Sequence, residues 1–506
     1  MTPLARRGLQ DWLLILTGLF VIVWAVVRAV LQSVTIDEAF TYLYFAKSLD
    51  VVVEFNTNNH VLNSLLMWIV TQALGTSSIT VRLPALLGGV LYVCVCYFLC
   101  KSLTSKFSLR LPLFICLTCN PFILDYMVAA RGYSLANAFL VTAIAVPVWY
   151  HAKGRPSLPT CCALASVALG LSFTANFSFA FVDAAAFLGI ATWAIRRREG
   201  HSIVRIVGFC ALPGIFVAFL ICGYTLTHWQ SPRWQDDLTW GAHSMREMRR
   251  SLVDSSLYQL DPRFRGSLYD AVMFLQPRLL PLLEILCACQ LVVTRLDGSW
   301  RQDARVRWLG RLVAGLLGIT ALTVGISWLA FRYYALPLPV GRTGIYLVPL
   351  VTLLAGLIAA IPAERLISRW LRRGIATVLI CLACYFLLCL RLSYFREYKW
   401  DADVKDVYSV MARLNHTYGV KDAQVTGLYV SALNYYRDLS KQETFPEFTL
   451  DVPELSSGRS IYVLDGVWKQ DFINQEKLVV VYRGKFSEVV VAVKPNGAIP
   501  SAMIEP

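Results

Sequence analysis

Long apolar stretches, broken by short polar segments, run from residue 12 to residue 392. A stretch of about 20 apolar residues crosses the ~30 Å hydrocarbon core of a bilayer as a helix. Eleven qualify: 12–31, 81–100, 107–125, 135–152, 159–176, 177–195, 204–227, 270–294, 309–331, 344–361 and 375–392. The fifth and sixth are nearly continuous and require a tight turn near 174–176. Two further runs, 38–49 and 61–74, are too short or too polar to span, and they read as interfacial or re-entrant helices.

Beyond residue 392 the pattern changes. The remaining segment has 13 basic and 15 acidic residues and short alternating runs, so it is not a continuation of the apolar bundle. Strands are expected over 424–430, 460–464, 478–482 and 489–493, after a helix over 403–414. The expected fold is an α-helical polytopic membrane protein of about eleven transmembrane helices, residues 1–392, with a small C-terminal α/β domain, 393–506. Two long loops interrupt the bundle, 32–80 and 228–269, the second carrying Trp229, Trp234 and Trp240 at interfacial spacing.

Composition agrees, with 57% hydrophobic residues and a mean hydropathy of +0.55. The net charge of +14 resolves into a topology signal. Lys and Arg gather in every second loop: at Arg6-Arg7, from Lys101 to Arg110, at Lys153 and Arg155, at Arg196-Arg197-Arg198, from Arg295 to Arg311, and from Arg365 to Arg373. The positive-inside rule puts these loops and the N-terminus in the cytoplasm, in a plasma or inner membrane. An odd number of spans then puts the C-terminal segment outside. No nucleic-acid partner follows from this charge. Arg6-Arg7 precedes an apolar run as in a signal peptide, but the length of the run and the missing small-residue cleavage site favour an uncleaved anchor. All 14 cysteines fall in expected spans, so they read as small apolar core residues with no disulfide framework.

The chemistry gathers at one membrane face. Arg28, Asp37, Glu38, Arg82, Asp125, Arg131, Asp183, Arg332 and Arg342 all map to the outer third or the outer surface, and only Glu284 falls deeper. An ion-coupled transporter or lipid-linked glycan flippase needs charge near the midplane and usually a pseudo-repeat, and neither is visible. The adjacent carboxylates Asp37-Glu38, just past the first span, suit an enzyme that takes its substrate from lipid.

The residues there carry a resemblance. Thr35-Ile36-Asp37-Glu38-Ala39 is followed by Asn59-His60-x-Leu62 and by Val81-Arg82-Leu83-Pro84-Ala85-Leu86 at the second span. Asn120-Pro121-x-x-x-Asp125, then Ala130-Arg131-Gly132-Tyr133-Ser134-Leu135 and the late Pro339-x-Gly341-Arg342-Thr343 complete the set. In order and placement these motifs resemble the GT-C class of membrane glycosyltransferases, relatives of the protein O-mannosyltransferases and the lipid A aminoarabinose transferase. They cover the first 150 residues well and the last spans loosely; the C-terminal segment resembles no such domain.

The resemblance implies a polyprenyl-phosphate-linked sugar as donor, an acceptor hydroxyl on a glycan, lipid or protein, and inverting transfer on the extracytoplasmic face. Asp37 is then the general base, with Glu38 beside it either catalytic, orienting the loop or binding acceptor. Arg131, Arg342 and Arg332 are candidates for the donor phosphate, since a guanidinium holds two phosphate oxygens at once; the competing role for each is a snorkelling arginine at a span end. Asp125 either binds acceptor or pairs with Arg131. Asn59 and His60 are acceptor or loop contacts, and Arg82 ties the outer loop to the second span. The class allows a divalent metal, but none is indicated, because His60, His228 and His243 have no ligand spacing. A non-catalytic glycan-assembly protein on the same scaffold is the remaining alternative.

Overall fold

The computed structural model describes residues 3–54, 56–153, 156–228, 240–257, 260, 266–296, 303–362, 365–440, 445–449 and 458–495. The helices begin with α1 (Pro3–Leu31), α2 (Ile36–Phe45), α3 (Leu49–Val52), α4 (Val61–Leu74) and α5 (Ser78–Leu103). They continue with α6 (Phe107–Thr118), α7 (Pro121–Val128), α8 (Tyr133–Lys153), α9 (Leu158–Ala175), α10 (Ala180–Arg197) and α11 (Ile203–Thr227). After these come α12 (Met245–Ser256), α13 (Ser267–Leu296), α14 (Ala304–Tyr334), α15 (Leu347–Ala360) and α16 (Leu366–Leu388).

Among the described residues nine of these helices are long and apolar enough to cross a membrane, and α6 with α7 forms a tenth candidate bent by 49°. The bend has a local cause. Pro121 opens α7, and the Asn120 side chain caps it by accepting from Phe122 N and Ile123 N at 3.0 and 3.3 Å. The tenth expected span, 344–361, is helical over only 14 residues, α15, or about 21 Å at 1.5 Å per residue. A 3-10 turn, Gly341–Gly344, takes up the chain before it and carries Arg342. The chain is a multi-pass membrane protein. Its outward faces are apolar: on α11, Leu212, Phe216, Phe219 and Leu220 are all about two-thirds exposed, as lipid-facing side chains are. The fourteen cysteines are free.

Of the two short runs expected in the first loop, 61–74 is helical as α4 at those bounds, while 38–49 is divided: α2 covers 36–45 and α3 starts at Leu49. Of the second loop's tryptophans, Trp229 and Trp234 lie outside the described residues, and Trp240 is exposed.

The C-terminal segment folds as α17 (Val404–Tyr418), β1 (Ala423–Val425), α18 (Gly427–Ser440), β2 (Ile461–Asp465), α19 (Gln470–Gln475), β3 (Val479–Arg483) and β4 (Val489–Val493). The sheet order is β1-β2-β4-β3, with β1 parallel to β2 and the other pairs antiparallel. The strand expected over 424–430 is corrected: β1 ends at Val425 and the chain turns into α18. Tyr429, Leu433 and Tyr436 are buried at helical spacing, so one helical face wins over strand alternation. This unit does not stand apart from the bundle. Ala39 and Tyr42 of α2, Met67 of α4 and Val81 of α5 share one buried cluster with α17, α18 and the strands.

Candidate functional site

The loop after α1 is built on Arg82. This guanidinium is fully buried in α5, and each of its five N–H groups has a partner. Nε donates to Glu38 Oε1 and Nη2 to Glu38 Oε2, at 2.8 and 2.7 Å. The remaining donors go to the carbonyls of Ala29, Gln32 and Ser33. Glu38 also closes a capping box with Thr35 at the start of α2 and accepts from Ala130 N at 3.0 Å. The Glu38 carboxylate is wholly buried and bonded to Arg82, Thr35 and Ala130, the loop-orienting arrangement among the roles open to it. It fixes α2 and the turn before Arg131, leaving the neighbouring Asp37 side chain aimed outward.

Asp37 is 23% exposed and is the meeting point of three chain segments. Its Oδ2 lies 2.7 Å from Arg342 Nη1 and 3.6 Å from Arg131 Nη2, and it accepts a hydrogen bond from the Tyr398 hydroxyl at 2.7 Å. Burial pushes this carboxyl up, but Arg131, Arg342 and the Tyr398 hydroxyl outweigh burial and hold it below the usual carboxylate range. Arg342 also donates to the Tyr398 hydroxyl, so one phenol links the base candidate to a cation. Burial alone would lower the Arg342 pKa; Tyr398 and the surrounding tyrosines and Asp37 raise it instead.

Arg131 is almost wholly buried in the turn between α7 and α8. It donates to Thr41 Oγ1 at 3.0 Å and to Asn58 Oδ1 at 3.4 Å, while its Nε has no partner among the described residues. Gly132 makes this turn possible. Its φ of +73° suits glycine, and a Cβ there would lie 2.2 Å from the Ala175 carbonyl oxygen. His60, at the start of α4, packs edge-on against Tyr133 at 5.4 Å, with both ring nitrogens buried and unpartnered among the described residues. Burial, then Arg131 and Arg342, push its pKa well below the ordinary histidine value, so the imidazole is neutral.

The remaining sequence candidates separate. Asp125 does not pair with Arg131. It binds Arg28 at 2.5 Å and accepts from Arg396 N at 3.1 Å, because the turn at Ala129–Gly132 carries Arg131 to the α2 side while α7 keeps Asp125 facing α1. Asn59 makes the loop contacts: buried, it donates to the carbonyls of Val52 and Glu54 and accepts from Ser64, which folds the loop before α4. Arg332 is exposed in the last turn of α14, with no bond to the cluster among the described residues. No group of three or more His, Cys, Asp and Glu residues is placed to hold a metal, among the described residues.

The sequence reading missed the segment directly after α16. Phe395 lies under Arg28 and Arg82 at 5.0 and 5.4 Å, Tyr398 reaches Asp37, and Asp401 accepts from Ile36 N at 2.7 Å. Glu397 accepts from the Tyr126 hydroxyl and lies 3.8 Å from Arg342; burial raises its carboxyl above the usual range. The available signal was the dense aromatic and charged run 394–401, immediately past the last span. Beside Glu397 opens a cleft of about 310 Å³, walled by α12, the turn at Val340–Gly341 and Arg396, with Trp240 at its rim. The basic loops lie at the other end of the bundle, where Asp11 pairs with Lys101 and Arg110.

No family model and no curated sequence matches the chain. Among solved structures it is similar to ArnT from Cupriavidus metallidurans bound to undecaprenyl phosphate, at 11% identity and a TM-score of 0.49, over 96% of this chain and 98% of that one. It is similar also to the Archaeoglobus fulgidus oligosaccharyltransferase in the apo form, at 10% identity and a TM-score of 0.43, over 96% of this chain and 75% of that one. A third is the arabinofuranosyltransferase AftD from Mycobacteria, at 17% identity and a TM-score of 0.45, over 82% of this chain and 29% of that one. At these values the likenesses decide nothing about the chemistry, which rests on the site.

Proposed function

We propose that the chain is an inverting membrane glycosyltransferase that moves a sugar from a polyprenyl-phosphate donor to an acceptor hydroxyl. One observation carries this reading: two guanidiniums, the buried Arg131 and the partly exposed Arg342, converge on the carboxylate of Asp37 at the mouth of the bundle. Glu397, 3.8 Å from Arg342, is the second carboxyl beside these cations, and burial raises its pKa toward the neutral form, while Arg131 Nε has an unspent donor among the described residues. A phosphate monoester joined to a lipid suits such a place, since it brings compensating charge and several acceptor oxygens.

In the reaction the acceptor hydroxyl attacks the anomeric carbon while its proton passes to Asp37, which is ionised because the two arginines keep its pKa low. The bond from the anomeric carbon to the phosphate oxygen breaks, and the developing charge on the lipid phosphate is met by Arg131 and Arg342. One displacement inverts the anomeric centre. His60, neutral and with both ring nitrogens unpartnered among the described residues, is an acceptor or donor contact beside the same arginines. The alternation of basic loops supports a cytoplasmic N-terminus, with the site and the segment from 393 onward, read as a C-terminal domain, outside.

The test is transfer in proteoliposomes from a panel of radiolabelled polyprenyl-phosphate sugars to lipid, glycan and peptide acceptors. Label should move with the wild type, and Arg131→Ala and Arg342→Ala should each raise the donor KM. Failure of every donor to transfer, with the folded protein present, would contradict the reading.

A further inference from the structure

The cleft beside Glu397 is not needed to explain how Asp37 or the two arginines are held, yet it opens next to them. Arg342 follows Gly341, and Tyr398 follows Glu397, so two of its walls are one residue from the site. These walls are fixed. Ser251 of α12 accepts from Gly341 N at 3.1 Å and donates to Met248 O at 2.8 Å. Ala242 and Leu338 form a short antiparallel bridge, which pins the chain directly after Trp240. On the third side Arg396 donates to the Asp254 carbonyl, tying the segment after α16 to α12.

The lining is mixed in a particular way. An indole, 70% exposed, stands at the rim; Glu397 and Arg396 form one wall, the hydroxyl-bearing Ser251 and Ser255 another, and Phe122 and Val340 add apolar surface. The Ser255 hydroxyl and the Glu397 carboxyl are polar groups that a prenyl or acyl chain would not solvate. A sugar ring fits both demands, with one apolar face for the indole and hydroxyls on its edge for the polar walls. The volume, about 310 Å³, is at the lower end of the roughly 300–1,000 Å³ of ligand pockets, which suits one ring better than an oligosaccharide.

We infer that this cleft is a monosaccharide subsite, seating one pyranose or furanose ring between Trp240, Ser255 and Glu397. The inference rests on the transferase reading, and the ring belongs either to the donor or to the acceptor. The Glu397 Oε1 oxygen, 3.8 Å from Arg342, is the acceptor for a sugar hydroxyl, while Oε2 stays with Tyr126.

The experiment measures binding, independent of turnover. Full-length protein in nanodiscs is titrated with methyl glycosides of glucose, galactose, mannose and arabinose, read by saturation-transfer NMR. At least one glycoside should bind the wild type. Ser255→Trp, which fills the cleft, should abolish that signal, and Trp240→Ala, at an exposed position that leaves folding intact, should weaken it about tenfold. Undecaprenyl phosphate without sugar should leave the signal in place. Displacement by undecaprenyl-phosphate glucose, but not by the sugar-free lipid, assigns the subsite to the donor; retention with both assigns it to the acceptor. Displacement by the sugar-free lipid would make this a lipid channel and overturn the inference. So would glycoside binding that survives both substitutions, even if transfer itself is observed, and so would no glycoside binding at all.

Discussion

The Tyr398 hydroxyl donates to Asp37 Oδ2 at 2.7 Å across 361 positions of the chain. The loop after the first helix and the segment after the last one thus meet at a single carboxylate oxygen. The same phenol accepts from Arg342, so Asp37 is steered and its charge supported by a residue outside the helix bundle.

Removing that hydroxyl should move the pH dependence of transfer. Burial raises the Asp37 pKa, and Arg131, Arg342 and Tyr398 together lower it below the usual value. Asp37 is ionised, and competent as base, above its folded pKa and loses that state as pH falls through it. Tyr398→Phe takes away one lowering contribution, so the acid limb of kcat/KM shifts to higher pH while the alkaline side stays put. A pH profile identical to wild type would detach Tyr398 from the titrating group.

Glu38 and Arg82 form a wholly buried pair, and breaking it by removing one partner costs about 3–5 kcal/mol. Glu38→Gln should lower the thermal unfolding midpoint of the solubilised protein sharply. Replacing both residues with apolar side chains should not restore it, because Arg82 also serves the carbonyls of Ala29, Gln32 and Ser33. Recovery in the double variant would mean those three bonds contribute little.

Gly132→Ala tests the turn that presents Arg131. With φ at +73° and a new Cβ 2.2 Å from a backbone oxygen, the turn must shift at a strain cost of order 1–3 kcal/mol. The donor KM should rise about tenfold or more. Gly315→Ala, with open space around its Cβ, is the control and should leave the kinetics unchanged.

The arginines divide. Arg342→Lys retains the charge but loses the guanidinium whose Nη1 reaches both Asp37 and Tyr398, with its other nitrogens left for phosphate oxygens, so the donor KM should rise. Arg332→Lys, on an exposed helix end, should have no effect. An equal loss for both would return Arg332 to the site.

The parts of the fold that depend on periodicity were legible. Apolar length marked the bundle, and the 61–74 run became α4 at those bounds. Asp37, Arg131 and Arg342, read one motif at a time, come together in space. The partition of the carboxylates was not legible, since adjacency in sequence hides that α2 turns Glu38 inward to Arg82 and Asp37 outward. Asp125 was equally closed to the sequence, because its partner Arg28 lies 97 residues away on another helix. Tyr398 and Glu397 sit in an irregular segment with no period to read, and only packing against α1 and α7 reveals them.

The central claim is that Asp37 takes the acceptor's proton while Arg131 and Arg342 hold the donor. The most direct test compares wild type with Asp37→Asn in two assays on the same proteoliposomes, binding of the polyprenyl-phosphate sugar that the wild type uses and its transfer. The account predicts that donor binding survives, since the amide leaves both guanidiniums in place, and that transfer falls by about 10²–10⁴-fold, the usual contribution of a general base. Transfer at the wild-type rate by Asp37→Asn would contradict it.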